Sequence, residues 1–463
     1  MFCLDDTIAA VSTPVGEGGI GIVRISGRDA VEAASSVFIP ACGKSVRALK
    51  SHTITYGRVV DPKNGDTVDE ALLSVMLAPS SYTREDIVEI NCHGGFLPVR
   101  RTLELALGAG VRLAEPGEFT LRAFLNGRLD LSQAEAVIDL IRAKTETAGR
   151  IALSQLSGGV SKTINLLRDE TASICVNVEA RVDFPEEDIE PAALGELIER
   201  ISALRKSLEE LSATYERGRF FRHGFSCAIV GRPNVGKSSL LNALLERERA
   251  IVTAVPGTTR DTIEEYLNIE GLPVRITDTA GIRDADGLAE REGVRRSLRA
   301  IDGADVVVAL FDGTTRLQDD DLNVILKTSE KNTLYAINKS DLASAFDEGE
   351  ISERVSGKPV VLKISAKTSE GIDALKSAIV RSVVRRGAGD VESIVITNLR
   401  HKAAIDRAAS ALERAGVSME RENPLEIVAL ELRTALDSLG EITGVVTSED
   451  LLGMIFRDFC IGK

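Results

Sequence analysis

Lys237 and Ser238 stand near the end of a glycine-bounded loop, Gly231-Arg-Pro-Asn234-Val235-Gly236-Lys237-Ser238-Ser239, that follows the apolar run Phe225 to Val230 and precedes the helically spaced Leu240 to Leu245. Strand, loop and helix in that order are the setting of a phosphate-binding loop. Glycine at 231 and 236 lets successive backbone N–H groups turn inward around phosphate oxygens, close to the positive end of the following helix. Lys237 then supplies a point charge between the outer phosphates, and Ser238 a hydroxyl ligand for Mg²⁺.

The stretches downstream come in the order that hydrolysis of GTP requires. Thr258-Thr259-Arg-Asp261 sits where a first nucleotide-sensing loop belongs, with Thr259 as a second hydroxyl for Mg²⁺. Val274-Arg-Ile-Thr-Asp278-Thr279-Ala280-Gly281 reads as a strand ending in an acid that holds Mg²⁺ through water, followed by a glycine N–H that senses the γ-phosphate. Asn338-Lys339-Ser-Asp341 follows the apolar strand Leu334 to Ile337, and the Asp341 carboxylate can accept both N1–H and N2–H₂ of guanine, a donor pair that adenine lacks. Ser365-Ala366-Lys367, after the strand Val360 to Ile364, fits a loop that closes over the base. Ile282 follows Gly281 where many GTPases carry the glutamine that orients the attacking water. An aliphatic side chain cannot orient water, so another group has to.

Length and composition set the frame for these motifs. With 463 residues the chain is long enough for about three domains of roughly 150 residues each. Its 56 Lys and Arg against 70 Asp and Glu provide no global positive field to draw in nucleic acid or an anionic membrane, so an RNA partner is met by a local patch or through another subunit. The six cysteines, Cys3, Cys42, Cys92, Cys175, Cys227 and Cys460, form no Cys-x-x-Cys pair, which argues against structural zinc and against a disulfide framework. No basic leader opens the chain and no apolar run reaches spanning length, so a soluble cytoplasmic protein with reduced thiols and no membrane partner is expected.

The texture divides the chain as follows. Residues 1–118 mix short apolar runs (Ile20 to Ile25, Ala71 to Leu77, Ile87 to Ile90) with glycine-dense turns and the helical Val99 to Leu107, an α+β pattern. Residues 119–219 read as helix, with a capping box at Ser132-Gln-Ala-Glu135 and a long amphipathic repeat from Leu194 to Leu211, the two separated by the acidic, proline-broken Asp183-Phe-Pro-Glu-Glu-Asp188. Residues 220–383 hold the nucleotide motifs in a Ras-like α/β pattern. Residues 384–463 return to helix, with Asn423-Pro424 as an expected start and Gly440 as an expected stop. The prediction is a multidomain α/β and α+β protein: an amino-terminal α+β domain and an all-α domain, discontinuous in sequence, interrupted by an inserted α/β P-loop domain that is able to move as a body.

With these motifs the chain closely resembles the MnmE (TrmE) family of tRNA-modifying GTPases. The resemblance is carried also by Gly18-Gly-Ile-Gly-Ile-Val-Arg24-Ile-Ser-Gly27, Glu89-Ile-Asn-Cys-His-Gly-Gly95, Pro116-Gly-Glu-Phe119, Asp183-Phe-Pro-Glu-Glu187 and the carboxy-terminal Cys460-Ile-Gly-Lys463. It implies a tetrahydrofolate-binding, dimerising amino-terminal domain and a GTPase triggered by K⁺-dependent dimerisation. It also implies action with a FAD-containing partner, MnmG, in a heterotetramer that installs a (carboxymethyl)aminomethyl group at C5 of the wobble uridine of certain tRNAs, the carbon coming from 5-formyl- or 5,10-methylene-tetrahydrofolate.

By matched position the resemblance extends the nucleotide site to Thr253-Ala254-Val255-Pro256-Gly257-Thr258. It makes Asn234, Thr253, Val255 and Thr258 ligands of K⁺ and gives Glu290 the water-positioning role, with Glu292 as a nearby carboxylate of the same stretch. For folate it marks Arg24, Glu89, Arg128 and Lys463, with Cys460 near the one-carbon chemistry; Arg128 stands where some relatives carry lysine, which keeps the charge and changes the contact geometry. Two other readings share the central motifs. One is a regulatory or ribosome-assembly GTPase that binds RNA without modifying it; the other is a folate enzyme acting alone with GTP as timer.

Overall fold

Alternation builds the first sheet. In Thr67–Met76 the odd positions Ala71, Leu73 and Val75 are buried while Leu72 is exposed and Ser74 half-buried, the two-residue period of a strand covered on one face. The computed structural model describes residues 5–14, 16–183, 191–247, 266–277, 301–384 and 394–463. Strands β1 (Ile8–Val11), β2 (Gly18–Ser26), β3 (Phe38–Pro40), β4 (Thr53–Val60), β5 (Thr67–Met76), β6 (Ile87–Gly94) and β7 (Arg112–Leu113) form one sheet in the order β3-β4-β5-β6-β2-β1-β7. Helices α1 (Ala30–Val37) and α2 (Phe96–Gly108) cover one face through Ala30, Ala34, Val37, Leu105 and Ala106. On the other face Ile54 and Tyr56 of β4 and Leu72 of β5 remain exposed, with Tyr56 directly opposite Leu72.

Helices α3 (Glu118–Leu125), α4 (Leu131–Arg142), α5 (Glu146–Leu156), α6 (Gly159–Asp183), α7 (Pro191–Ala213) and α8 (Tyr215–His223) follow. The capping box of α4 lies two residues before the expected one. Asp130 accepts from Gln133 N at 2.9 Å and Gln133 Oε1 accepts from Asp130 N at 2.9 Å. Ser132 and Glu135 instead turn inward, both buried, because a long-range partner awaits each: Ser161 Oγ for the serine, Arg400 and His401 for the glutamate.

The second sheet comprises β8 (Phe225–Val230), β9 (Tyr266–Ile269), β10 (Leu272–Thr277), β11 (Val306–Asp312), β12 (Thr333–Asn338) and β13 (Val360–Lys363), ordered β13-β12-β11-β8-β10-β9. All neighbours are parallel except the edge pair β9–β10. Helices α9 (Lys237–Arg247), α10 (Asp319–Thr328), α11 (Glu348–Ser352) and α12 (Ile372–Val383) accompany it. β8 and β11 are buried along their whole length, as expected where helices cover both faces of a parallel sheet. Helix α8 spans the position where the nucleotide unit was expected to begin: its Phe220 and Phe221 pack into the core of the second sheet.

After the second sheet come α13 (Leu399–Glu420), α14 (Leu425–Thr443) and α15 (Glu449–Arg457). Here two local expectations shift. Pro424 itself is the N-cap of α14, with no side-chain cap, and the helix runs through Gly440 to stop at Gly444, whose φ is 86°. Gly440 is buried because Val446 folds back on it. Ile164 and Val178 of α6, Leu204 and Leu208 of α7, Ile405 and Leu412 of α13, and Leu432 and Leu439 of α14 share one core, so chain from both sides of the second sheet builds a single helical unit. Among the described residues no helix is long and apolar enough to cross a membrane.

Glu135 is the polar centre of that unit. Its carboxylate accepts from Arg400 Nη2 at 2.7 Å and Nε at 3.0 Å, from Asn398 Nδ2 at 2.9 Å, and lies 2.7 Å from His401 Nε2. Arg400 also donates to the carbonyls of Glu441 and Ile442 at the end of α14. Burial alone would raise the Glu135 carboxyl, but His401 and Arg400 together outweigh it and hold it at about 2. A depressed folded-state value contributes stability that is complete above the ordinary glutamate range near ~4.3 and is lost as pH falls toward the folded value. Replacing Glu135 with Ala strands Arg400 and His401, and a loss of about 3–5 kcal/mol is expected in denaturant unfolding at neutral pH. The loss should shrink as the pH is lowered from 4.5 toward about 2; a loss that is small at neutral pH, or constant down to acid pH, rules out this role.

Candidate functional site

The phosphate loop, Asn338-Lys339-Ser-Asp341 and Ser365-Ala366-Lys367 lie at the carboxyl ends of the parallel strands β8, β12 and β13, where open α/β sheets place their ligands. The phosphate loop joins β8 to α9. Lys237 Nζ donates to the carbonyls of Gly231 and Arg232 at 2.8 and 2.9 Å, which folds the lysine over the loop and aims its charge at the space the N–H groups enclose. Asn234 takes left-handed backbone with φ 67°. Gly236 has φ 101°, and a Cβ there would stand 2.3 Å from Asn338 Nδ2. Ser238 and Ser239 open α9. Arg232 reaches sideways to Thr315 Oγ1 and to Asp321 Oδ2, 3.2 Å away, tying the loop to the start of α10.

Asn338 joins the phosphate loop to the base-binding loops. Its Nδ2 donates to Val235 O at 2.8 Å and its Oδ1 accepts from Ala366 N at 2.9 Å, all in a buried setting. Lys339, with φ 66°, places Nζ 2.6 Å from Asp312 Oδ2 at the end of β11. Burial pushes the Asp312 carboxyl up, and Lys339 and Thr314 more than reverse it, leaving it below the usual range. Asp341 is exposed, and its Oδ1 accepts from the buried Ser365 Oγ at 2.7 Å, so the loop after β13 orients this carboxylate. Lys367 is exposed beside it. Sequence reading missed Asp312 and Asp321. The signal for Asp312 was present, an acid at the end of an apolar strand, whereas that for Asp321 was one carboxylate among the three of Asp319-Asp320-Asp321. Thr253, Ala254, Val255, Pro256, Gly257, Thr258, Thr259, Asp278, Thr279, Ala280, Gly281, Ile282, Glu290 and Glu292 lie outside the described residues, as do Phe184 to Glu187.

The carboxy-terminal segment meets the first sheet at Arg24. Gly462 O accepts from Ser12 Oγ at 3.1 Å and from Arg24 Nη1 at 3.3 Å. Arg24 Nε donates to Glu89 Oε1 at 2.8 Å across the β2–β6 pair, and its guanidinium lies 5.6 Å from the Phe119 ring centroid and 5.9 Å from that of Tyr82. The Arg128 guanidinium lies 4.7 Å from the Tyr82 ring centroid and donates to the Tyr82 carbonyl at 2.9 Å. Burial raises the Tyr82 phenol, and Thr120, Arg128 and Arg24 partly offset this. Arg24, Glu89, Arg128 and the carboxy-terminal peptide are thus brought to one place. Cys460 is exposed, and Lys463 is half-buried with its N–H on Cys460 O at 3.4 Å. Beneath lies Arg122, fully buried and paired with Asp6, Glu85 and Glu118. Only the Glu118–Arg122 spacing, one helical turn, hinted at it in the sequence.

Two family models cover most of the chain: one described as the amino-terminus of the GTP-binding protein TrmE matches residues 7–128, and one described as the MnmE helical domain matches residues 131–460. The chain belongs to the MnmE family. A tRNA modification GTPase MnmE of Clostridioides difficile is 47% identical over 99% of this chain and 100% of its own length. Those of Alkaliphilus oremlandii and Acetivibrio thermocellus are each 46% identical over 99% of this chain and 100% and 99% of their own lengths. Like its relatives in the MnmE family the chain is a GTPase, a multidomain protein in which α/β, α+β and all-α parts are joined.

Replacing Asp341 with Asn would turn an acceptor into a donor opposite the guanine donors. A loss of about 1–3 kcal/mol in GTP affinity is expected, with preference moving toward xanthine nucleotides. Unchanged preference for GTP in competition binding would remove Asp341 from base recognition.

Proposed function

We propose that this chain is a tRNA-modifying GTPase, activated by K⁺ and by pairing of two nucleotide units, that works in the cytoplasm with a FAD-containing partner of the MnmG type. The pair installs a (carboxymethyl)aminomethyl group at C5 of the wobble uridine of certain tRNAs, using a tetrahydrofolate one-carbon unit. The curated relatives, named as tRNA modification GTPases over their full length, support the tRNA part. One observation supports the folate part: the carbonyl of Gly462, in the peptide that follows the last helix, accepts from Ser12 and Arg24 beside Glu89.

In the nucleotide unit Lys237 places its charge at the phosphates, Asp341 selects guanine, and Glu290 positions the attacking water in place of the missing glutamine. Mg²⁺ would be held by Ser238 and Thr259, and K⁺ by Asn234, Thr253, Val255 and Thr258. The left-handed turn at Asn234 and the tight approach of Gly236 to Asn338 suit a loop that wraps phosphate and presents an amide side chain at its rim. Bound cations supply neutralisation of the charge that develops between β- and γ-phosphates. In the pocket, the donor set suits a pterin: the Glu89 carboxylate can accept from ring and amino N–H groups, Tyr82 offers an aromatic face, and Arg24, Arg128 and Lys463 offer cations to carboxylates. Ile54, Tyr56 and Leu72, exposed together on the open face of the first sheet, support a homodimer through this part. The net charge of −14 favours meeting tRNA largely through the partner subunit.

GTP turnover is expected to be fast in K⁺ and slow in Na⁺ at equal ionic strength; equal rates would defeat the cation assignment. Deleting Cys460 to Lys463 should leave GTP hydrolysis nearly unchanged and abolish wobble modification, followed by mass analysis of nucleosides after incubation with the flavin partner, folate, GTP and unmodified tRNA. Normal modification by the truncated chain would make the carboxy-terminal segment structural.

A further inference from the structure

The turn between β9 and β10 is docked on the helical part. Glu270 and Gly271 both take left-handed backbone, with φ 51° and 85°, the two-residue turn whose twist matches its strands. Thr145, the N-cap of α5, donates from Oγ1 to Gly271 O at 2.7 Å while the same oxygen accepts from Ala148 N at 3.2 Å. A Cβ on Gly271 would fall 2.5 Å from Thr147 Oγ1, so glycine is what permits the approach. At the start of β9, Lys144 lies over the Tyr266 ring, 5.7 Å from its centroid, and on the other side of the turn Ser377 of α12 donates to Glu270. The α4–α5 link therefore grips the hairpin at its tip and at its first residue.

That hairpin is the chain between the stretch containing Thr259 and the one opening with Asp278. Its inner strand β10 runs parallel to β8, with Val274 opposite Phe225 and Thr277 opposite Ala228, and β8 leads directly into the phosphate loop. We propose that Thr145 is a positioning residue for GTP hydrolysis: its bond to Gly271 sets the axial position of β9–β10 along β8, the strand that leads into the phosphate loop. Helix α4 extends the linkage. Asp139 pairs with Arg222 of α8 at 2.7 Å, and Arg142 donates to Asp458 O at 2.7 Å, just ahead of the carboxy-terminal segment. The inference rests on the reading that Thr259 and Asp278 are the nucleotide-sensing groups.

Three substitutions in the full chain separate the two duties of Thr145. Serine keeps both the donor and the cap acceptor, aspartate keeps the cap acceptor but has no proton for the Gly271 carbonyl, and valine lacks both. Thr145→Asp is expected to lower kcat about fivefold to tenfold, the scale of one net hydrogen bond expressed in the transition state. Its KM for GTP and its melting temperature should stay unchanged, and Thr145→Ser should hydrolyse at the wild-type rate. A wild-type kcat for Thr145→Asp overturns the proposal, as does a Thr145→Val chain that melts lower yet turns over normally. Thr259→Ala is measured alongside: a wild-type rate there defeats the underlying reading, whatever the Thr145 series gives.

Discussion

A buried carboxylate must be paired, and Glu135 draws its partners from the far side of the inserted sheet, Asn398 being 263 and His401 266 residues away. The pairing ties the first helical stretch to the second more selectively than their shared leucines could, because apolar contacts tolerate sliding and a multidentate carboxylate does not. It also fixes the root of the inserted unit. Arg222 at the entry is held by Asp139 and the segment after the exit by Glu135, two positions one turn apart on α4. The nucleotide unit is thus moored at both ends to a single helix.

The phosphate loop itself is held from the side. Its conformation depends on Asn338 allowing the approach of Gly236 and on Arg232 reaching Asp321 and Thr315, so the loops after β8, β12 and β13 form one hydrogen-bonded body. An amide side chain that donates to one loop and accepts from the other does this without a net charge beside the phosphates.

What was legible in the sequence was local or carried by family resemblance. β8, the glycine loop and α9 follow from an apolar run, two glycines and a helical repeat, all within one short stretch. The leucine periodicity of α7 likewise marked its buried face. Helix ends were less legible. Ser132-x-x-Glu135 satisfies the capping pattern as well as Asp130-x-x-Gln133 does, and only the distant Ser161, Arg400 and His401 decide which pair caps and which is buried. Gly440 read as a stop for the same reason: its contact with Val446 belongs to the fold beyond the helix, not to the helix. Only the one-turn spacing from Glu118 hinted at the buried Arg122, and nothing local announced that Thr145 would bond to a turn 126 residues on. The matched positions at Arg24, Glu89 and Arg128 came from family likeness, and their convergence with Gly462 depends on how the whole helical part is threaded.

The bond from Arg24 to Gly462 spans 438 residues, which has a consequence for how the protein is made. The first sheet is synthesised early and is able to fold while the rest of the chain is still being translated. The contacts of Ser12 and Arg24 with Gly462 form only when the carboxy-terminal segment arrives, and that segment is delivered by a helical unit whose own halves lie on either side of the second sheet. The contact of the first sheet with the carboxy-terminal segment therefore forms later than the sheet itself. A nascent or interrupted chain can carry a formed second sheet and still leave Arg24 without its Gly462 partner.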